Sequence, residues 1–213
     1  MPDALEPFSP ATQQWFRNAF GTPTAAQEGA WESISKGENA LIIAPTGSGT
    51  TLAAFLWALD ALYRDKSTEP DQRELTTSTQ ARKNGDARET QKTKKQRAGG
   101  TRILYVSPLK ALGADVERNL RAPLAGIAHT AKESGRTPPD ITVGIRSGDT
   151  PARERRQLIS NPPDILLTTP ESLYLMLTSA ARSTLTGVTT VIVDEVHALA
   201  GTKRGAHLAV SLE

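Results

Sequence analysis

The sequence contains no cysteine, and its three histidines are too few to suggest a zinc centre. A disulfide framework, a thiolate metal site and a cysteine nucleophile are therefore excluded, and reducing, cytoplasmic conditions suit such a chain. Long apolar runs are lacking as well. The longest, Leu52 to Leu59, falls far short of the ~20 residues that a membrane-spanning helix needs. At the N-terminus, MPDALEPFSP carries acid where a signal peptide needs base, so neither export nor membrane insertion is expected.

A large excess of one charge is also missing, since 25 Lys and Arg face 23 Asp and Glu. The pI near 9.0 invites a nucleic-acid reading. Residues 65–100, however, hold nine Lys or Arg against six Asp or Glu, a net of +3 within a chain total of +2, which leaves the remainder at −1. Any footprint for nucleic acid must then be a local patch. That same segment has only Leu75, Ala81, Ala87 and Ala98 as aliphatic residues. Too little apolar surface is available to offset the entropy of ordering it, and it is expected to be a disordered, solvated excursion between a helix ending near Tyr63 and a strand at Ile103.

What remains is rich in short apolar runs. Ile, Leu and Val recur at 40–44, 103–106, 141–145, 165–167 and 191–193, with helix-length stretches between them. Apolar strands alternating with helices predict one α/β domain with a mostly parallel sheet buried on both faces. Ser9 with Pro10, and Thr22 with Pro23, mark two short helices ahead of the first run, the second spanning Ala25 to Lys36 and stopped by Gly37. Asp149 is expected to cap a helix from Pro151 to Ile159, and Gly205 to Glu213 begins another apolar helix.

The run at 40–44 leads into Pro45-Thr46-Gly47-Ser48-Gly49-Thr50-Thr51 and then a helical pattern. Glycines let backbone amides wrap a phosphate at a helix N-terminus, and Thr51 stands where a hydroxyl can ligate Mg²⁺. Taken alone, a strand, GSG and a helix is more often an ordinary turn. A second motif stands at the end of the 191–193 run, where Asp194-Glu195-Val196-His197 reaches the carboxyl edge of the sheet, the edge at which open α/β sheets bind ligands. One acid there can hold Mg²⁺ through water, and its neighbour can position or deprotonate an attacking water. Each motif alone has a structural explanation; together they point to nucleotide chemistry.

These residues resemble superfamily 2 helicases. Ala44 to Gly49 is similar to motif I, Asp194-Glu195-Val196-His197 to the DExH form of motif II, and Phe20 to Gln27, with Thr24 inside it, to the Q motif, whose glutamine reads adenine. Ser107-Pro108-Leu109-Lys110-Ala111-Leu112 resembles motif Ia, Thr168-Thr169-Pro170-Glu171-Ser172 motif Ib, and Arg146-Ser147-Gly148-Asp149-Thr150 motif Ic. The phrases SPLKALGADVERNLRAPL, RSGDTPARERRQL and VDEVHALAGTKRGAHLA narrow the resemblance to the large-helicase-related type. It implies a RecA-like, three-layer P-loop NTPase domain over 1–213, the first motor domain of a 3′-to-5′ translocase. ATP is then expected on Gln27, Thr24, Thr46, Gly47, Ser48, Gly49, Thr50 and Thr51, with Mg²⁺ on Thr51 and Asp194. Catalytic roles fall to Glu195, Asp194 and His197. Single-stranded DNA or an RNA:DNA hybrid is expected along Pro108, Lys110, Arg146, Ser147, Gly148, Thr169, Pro170 and Glu171, met through the backbone rather than the bases.

Two departures accompany the resemblance. Thr50 stands where the family has lysine, removing a cation whose contact with phosphate has a Coulomb scale of ~4 kcal/mol near a protein surface. The sequence also stops before motif III and the second motor domain, whose arginine finger contributes about 10³ to 10⁵ in rate. A truncated helicase motor, a non-hydrolysing nucleotide or nucleic-acid binding module, and a decayed or mutant fragment are the three readings that follow.

Overall fold

The structure is a computed structural model that describes residues 3–45, 47–68, 100–108 and 112–213. Two helices come first. In α1 (Pro10–Phe20) the Ser9 hydroxyl caps the amide of Thr12 and proline takes the first turn, as the Ser-Pro pair predicts. In α2 (Ala25–Ser35) the cap is Thr24 rather than Thr22, because only Thr24 is placed to complete a capping box with Gln27.

Helix α3 (Thr50–Thr68) follows the glycine-rich turn and is longer than its sequence suggests. Asp65 to Thr68 are helical rather than part of the excursion. Here Lys66 reaches Asp164 at 2.7 Å and the Asp140 carbonyl at 2.8 Å, and Arg102 reaches Asp65 at 2.5 Å. Charged residues that look solvated in sequence are tied here to the edge of the sheet. Residues 69–99, and with them the expected disorder, lie outside the described residues.

The sheet comprises β1 (Ile103–Val106), β2 (Val143–Arg146), β3 (Ile165–Thr168) and β4 (Thr190–Val193), all parallel in the order β2-β3-β1-β4. Four of the five expected strands are present within three residues of their predicted starts. The run at 40–44 is the exception: it joins no ladder, and Leu41 and Ile43 are 72% and 85% exposed. A strand is defined by its neighbours' backbone groups, and local apolarity does not supply them.

Side chains alternate across β1 and β3 with the period of two that a pleated strand imposes. Ile103, Tyr105, Ile165 and Leu167 pack with Phe55, Leu59 and Leu62 of α3 and with Val116 and Leu120 of α4 (Leu112–Glu133). Leu104, Val106 and Leu166 face the other way, onto Leu173 and Met176 of α6 (Pro170–Leu177), Leu199 of α7 (Val196–Leu199) and Leu208 of α8 (Lys203–Leu212). A further layer joins α1 and α2 to α3 around Trp31, with Phe8 and Phe16 packed edge-on at 4.9 and 5.5 Å.

Helix α5 (Ala152–Ser160) starts one residue later than expected, with Pro151 at its cap and no side-chain cap bond. Asp149 therefore does not cap it. Its amide donates instead to the Ser147 hydroxyl, within a loop that the Thr150 hydroxyl closes by accepting the Ser147 amide at 2.8 Å.

Candidate functional site

Because all four strands run the same way and their last residues are in register, their ends form one row, Arg146, Thr168, Val106 and Val193. The ladder even continues by one bond on either side of β1. The Ser107 amide donates to the Thr168 carbonyl at 3.0 Å, and the Asp194 amide to the Val106 carbonyl at 2.9 Å. Every loop singled out after these strands thus opens at the same edge.

At one end of the row, Asp194 is half-buried. One carboxylate oxygen accepts the Glu195 amide at 2.9 Å, and the other accepts a hydrogen bond from the hydroxyl of Tyr105. Burial, and then that bond, raise the Tyr105 phenol above its ordinary pKa, so it remains a donor. Glu195 has left-handed backbone, φ 52°, the one non-glycine residue with positive φ among the described residues. Such a conformation is disfavoured outside glycine and asparagine, and it turns the chain sharply from β4 into α7. His197 is exposed and lies 3.2 Å from a Glu195 carboxylate oxygen.

The glycine loop is held by its own turn and by α2. Ser48 donates to the Pro45 carbonyl through both its amide, at 3.2 Å, and its hydroxyl, at 2.6 Å. Gly47 and Gly49 carry φ of 87° and 78°. The Thr24 hydroxyl donates to the Ser48 carbonyl at 3.0 Å, and the Gln27 side-chain nitrogen to the Gly49 carbonyl at 3.4 Å. Gln27 is 4% exposed, which rules out a free surface glutamine. Thr50 and Thr51 open α3, Thr50 half-buried and Thr51 exposed. Five residues on from Thr50, Phe55 stacks on Tyr105 with ring centres 5.0 Å apart, linking the loop's helix to the residue that binds Asp194. Thr46 lies outside the described residues.

At the other end of the row, Thr169 caps α6 by accepting the Ser172 amide, with Pro170 in the first turn. Gly148 and Thr150 offer carbonyls that Arg155 binds, each at 2.7 Å. Arg146 is 8% exposed, and its Nη1 has no partner among the described residues. Burial, and then the neighbouring Arg155, push its guanidinium below the ordinary range. Glu171 is clasped by Arg204 of α8 through bonds of 2.5 and 3.2 Å, and the same guanidinium donates to the Pro108 carbonyl at 3.0 Å. Lys110 lies outside the described residues.

Three residues of this edge escape a motif reading: Tyr105, Arg155 and Arg204. Tyr105 carries the one legible signal, a hydroxyl in the otherwise aliphatic strand ILYV, since a buried phenol needs a partner. Arg155 and Arg204 sit on helix faces where arginine is ordinary.

A family model described as DEAD/DEAH box helicase matches residues 24–213. The chain belongs to the DEAD/DEAH box helicase family. It is 58% identical over 211 residues to the Lhr helicase/probable uracil glycosylase of Mycolicibacterium smegmatis, a match over 99% of this chain and 12% of that protein. It is 56% identical over 214 residues to the Lhr helicase/uracil glycosylase of Escherichia coli, covering 100% and 12% respectively. Among solved structures, Mycobacterium smegmatis helicase Lhr bound to ssDNA and AMP-PNP superposes with a TM-score of 0.81 at 56% identity, over 99% of this chain and 23% of that one. Sequence and fold therefore place it with the large-helicase-related type of superfamily 2, as a helicase-family domain of RecA-like α/β fold. The chain spans 12% of the length of these curated relatives. Among the described residues of this helicase domain, no helix is long and apolar enough to cross a membrane.

Proposed function

We propose that this DEAD/DEAH box domain binds ATP with Mg²⁺ in the cytoplasm, and that in its intact protein it drives 3′-to-5′ movement along single-stranded DNA or an RNA:DNA hybrid. The observation that carries the reading is the contact of Gln27 and Thr24 with the glycine loop, which ties a buried amide to a turn whose two glycines have positive φ. Glycine turns of this kind can aim backbone amides at a phosphate, and the N-terminus of α3 adds its dipole. Gln27 and Thr24 would take the adenine side, with Gly47, Ser48, Gly49, Thr50 and Thr51 around the phosphates.

Thr51 and Asp194 would hold Mg²⁺, which would supply positive charge against the phosphates. One hydroxyl, from Thr51, and one carboxylate, from Asp194, suit an ion that keeps most of its ligands as water and phosphate. Glu195 is the group to orient and deprotonate water, with His197 beside it. The edge formed by Pro108, Arg146, Ser147, Gly148, Thr169, Pro170 and Glu171, together with Lys110, would take the sugar-phosphate backbone. Buried Arg146, with an unpartnered nitrogen, is the group there that has most to gain from an anion.

Thr50 favours a second reading, in which the domain binds nucleotide without hydrolysing it, because no cation replaces the absent lysine in the glycine turn. Calorimetry with ATP and GTP separates these readings when combined with phosphate release. ATP bound in preference to GTP, with the preference lost in Gln27→Ala, supports the nucleotide assignment. Equal affinity for both, or none for either, overturns it. Binding of labelled single strands should weaken as salt rises and show little base preference. A strong sequence preference would remove the backbone-contact assignment.

A further inference from the structure

Tyr105 lies in the centre of the sheet, 1% exposed, flanked in register by Leu167 of β3 and Ile192 of β4. Both flanking residues are aliphatic and the ring stacks on Phe55, so packing alone would be served by phenylalanine. A tyrosine at this position brings a phenolic hydroxyl into an apolar layer, where an unmet donor is costly. That hydroxyl meets Asp194, the first acid beyond β4.

We infer that Tyr105 is a positioning residue for the metal-site carboxylate, its hydroxyl fixing the rotation of Asp194 so that the remaining lone pairs of both oxygens face the nucleotide edge. The inference rests on the nucleotide reading above. Three observations support it. The two Asp194 oxygens are claimed by different donors, the Glu195 amide on one and the Tyr105 hydroxyl on the other, which leaves the carboxylate plane no free rotation. Each oxygen of a carboxylate has two acceptor sites, so one on each remains for water or metal. The phenol ring is itself immobilised by stacking on Phe55, with planes 24° apart, and Phe55 belongs to the helix that the glycine loop opens. Finally, β1 continues from Tyr105 through Val106 directly into Ser107 and Pro108. One strand thus carries the residue that orients the metal-site acid and the loop proposed for nucleic acid.

A role confined to packing makes a different prediction from a positioning role, and Tyr105→Phe distinguishes them. Phenylalanine keeps the ring, its burial and its stack on Phe55, while removing the hydroxyl. Groups that orient a metal ligand from outside the coordination shell typically contribute about 10- to 100-fold to metal affinity. Mn²⁺ serves as a paramagnetic probe in place of Mg²⁺, with free ion read by electron paramagnetic resonance in the presence of saturating AMP-PNP.

Mn²⁺ affinity of the Tyr105→Phe complex is expected to fall about 10-fold, while its AMP-PNP affinity in EDTA stays within about twofold of the parent. In an Asp194→Asn background the same substitution is expected to change the residual Mn²⁺ affinity by less than about twofold, because the coupled partner has gone. Thermal melting of each variant reports folding. Equal Mn²⁺ affinity in Tyr105→Phe and the parent, with AMP-PNP bound to both, overturns the inference and leaves the nucleotide reading standing. Absence of AMP-PNP binding to the parent overturns the nucleotide reading and the inference with it. Should Tyr105→Phe melt far below the parent, Tyr105→Met gives a second test, filling the space without a donor; Mn²⁺ affinity equal to the parent in that variant likewise overturns the inference.

Discussion

The side-chain nitrogen of Gln27 donates to the Gly49 carbonyl, and a Cβ added to Gly49 would stand 2.5 Å from that nitrogen. Gln27 has little room to withdraw, since its oxygen accepts the Thr24 amide at 3.0 Å in the capping box. Gly49 also has φ 78°, where L side chains are strained. Gly49→Ala is therefore expected to destabilise the domain by about 1 to 2 kcal/mol. For a chain of this size that is a fall of roughly 2 to 8 °C in Tm, and the variant should show no further stabilisation by ATP. Differential scanning fluorimetry with and without ATP checks both; a Tm equal to the parent would refute the steric argument.

Thr50→Lys restores a cation at the opening of α3, in a turn that already presents Gly47, Gly49 and Thr51. The Coulomb scale of ~4 kcal/mol is reduced by the desolvation and ordering of a lysine, so ATP affinity is expected to rise about 10- to 100-fold. Hydrolysis by the isolated 213-residue chain should nevertheless stay slow, because an opposing motor domain would supply the remaining charge stabilisation. Titration calorimetry and phosphate release with single-stranded DNA measure the two effects. Rapid hydrolysis and unwinding of a 3′-tailed duplex by Thr50→Lys alone would contradict this division of labour.

Asp60 of α3 is fully buried and binds the start of α1. It accepts the Ser9 amide at 3.1 Å and hydroxyl at 2.5 Å and the Thr12 hydroxyl at 2.7 Å, with Arg64 at 3.1 Å. Asp60→Ala strands these donors together, an expected loss of about 3 kcal/mol, or roughly 6 to 12 °C in Tm. Hydrogen exchange should accelerate first in α1. A Tm within about 2 °C of the parent would show that water replaces the carboxylate without cost.

The Arg204 hydrogen bond holds the Glu171 carboxyl below the ordinary glutamate range. A depressed folded-state pKa contributes stability that is complete above the unfolded value, about 4.3, and is lost as pH falls through the folded value. Both side chains are about half exposed, at 55% and 45%, so the contribution is screened to below about 1 kcal/mol. Glu171→Gln should accordingly lower the urea midpoint slightly at pH 7, and the gap to the parent should close on acidification below the carboxylate range. A gap that widened on acidification would reverse the assigned direction.

The sequence by itself determined the features whose causes are local. Ser9-Pro10 and Thr169-Pro170 start helices because a short hydroxyl and a proline meet the needs of a first turn, and four apolar runs become strands because the helices between them cover both of their faces. Most of the residues proposed for nucleotide and nucleic acid were legible too, since spacing along the chain fixes which side chains leave each strand end. Tertiary structure alone decided which neighbour each of them meets. It left the run at 40–44 outside the sheet, carried α3 on to Thr68, turned Asp149 away from the cap of α5, and brought Tyr105 to Asp194 across 89 residues and Arg204 to Pro108 across 96. Those outcomes depend on strand order and register, which are set by the packing of whole layers against one another and leave no periodic trace at the residues they join.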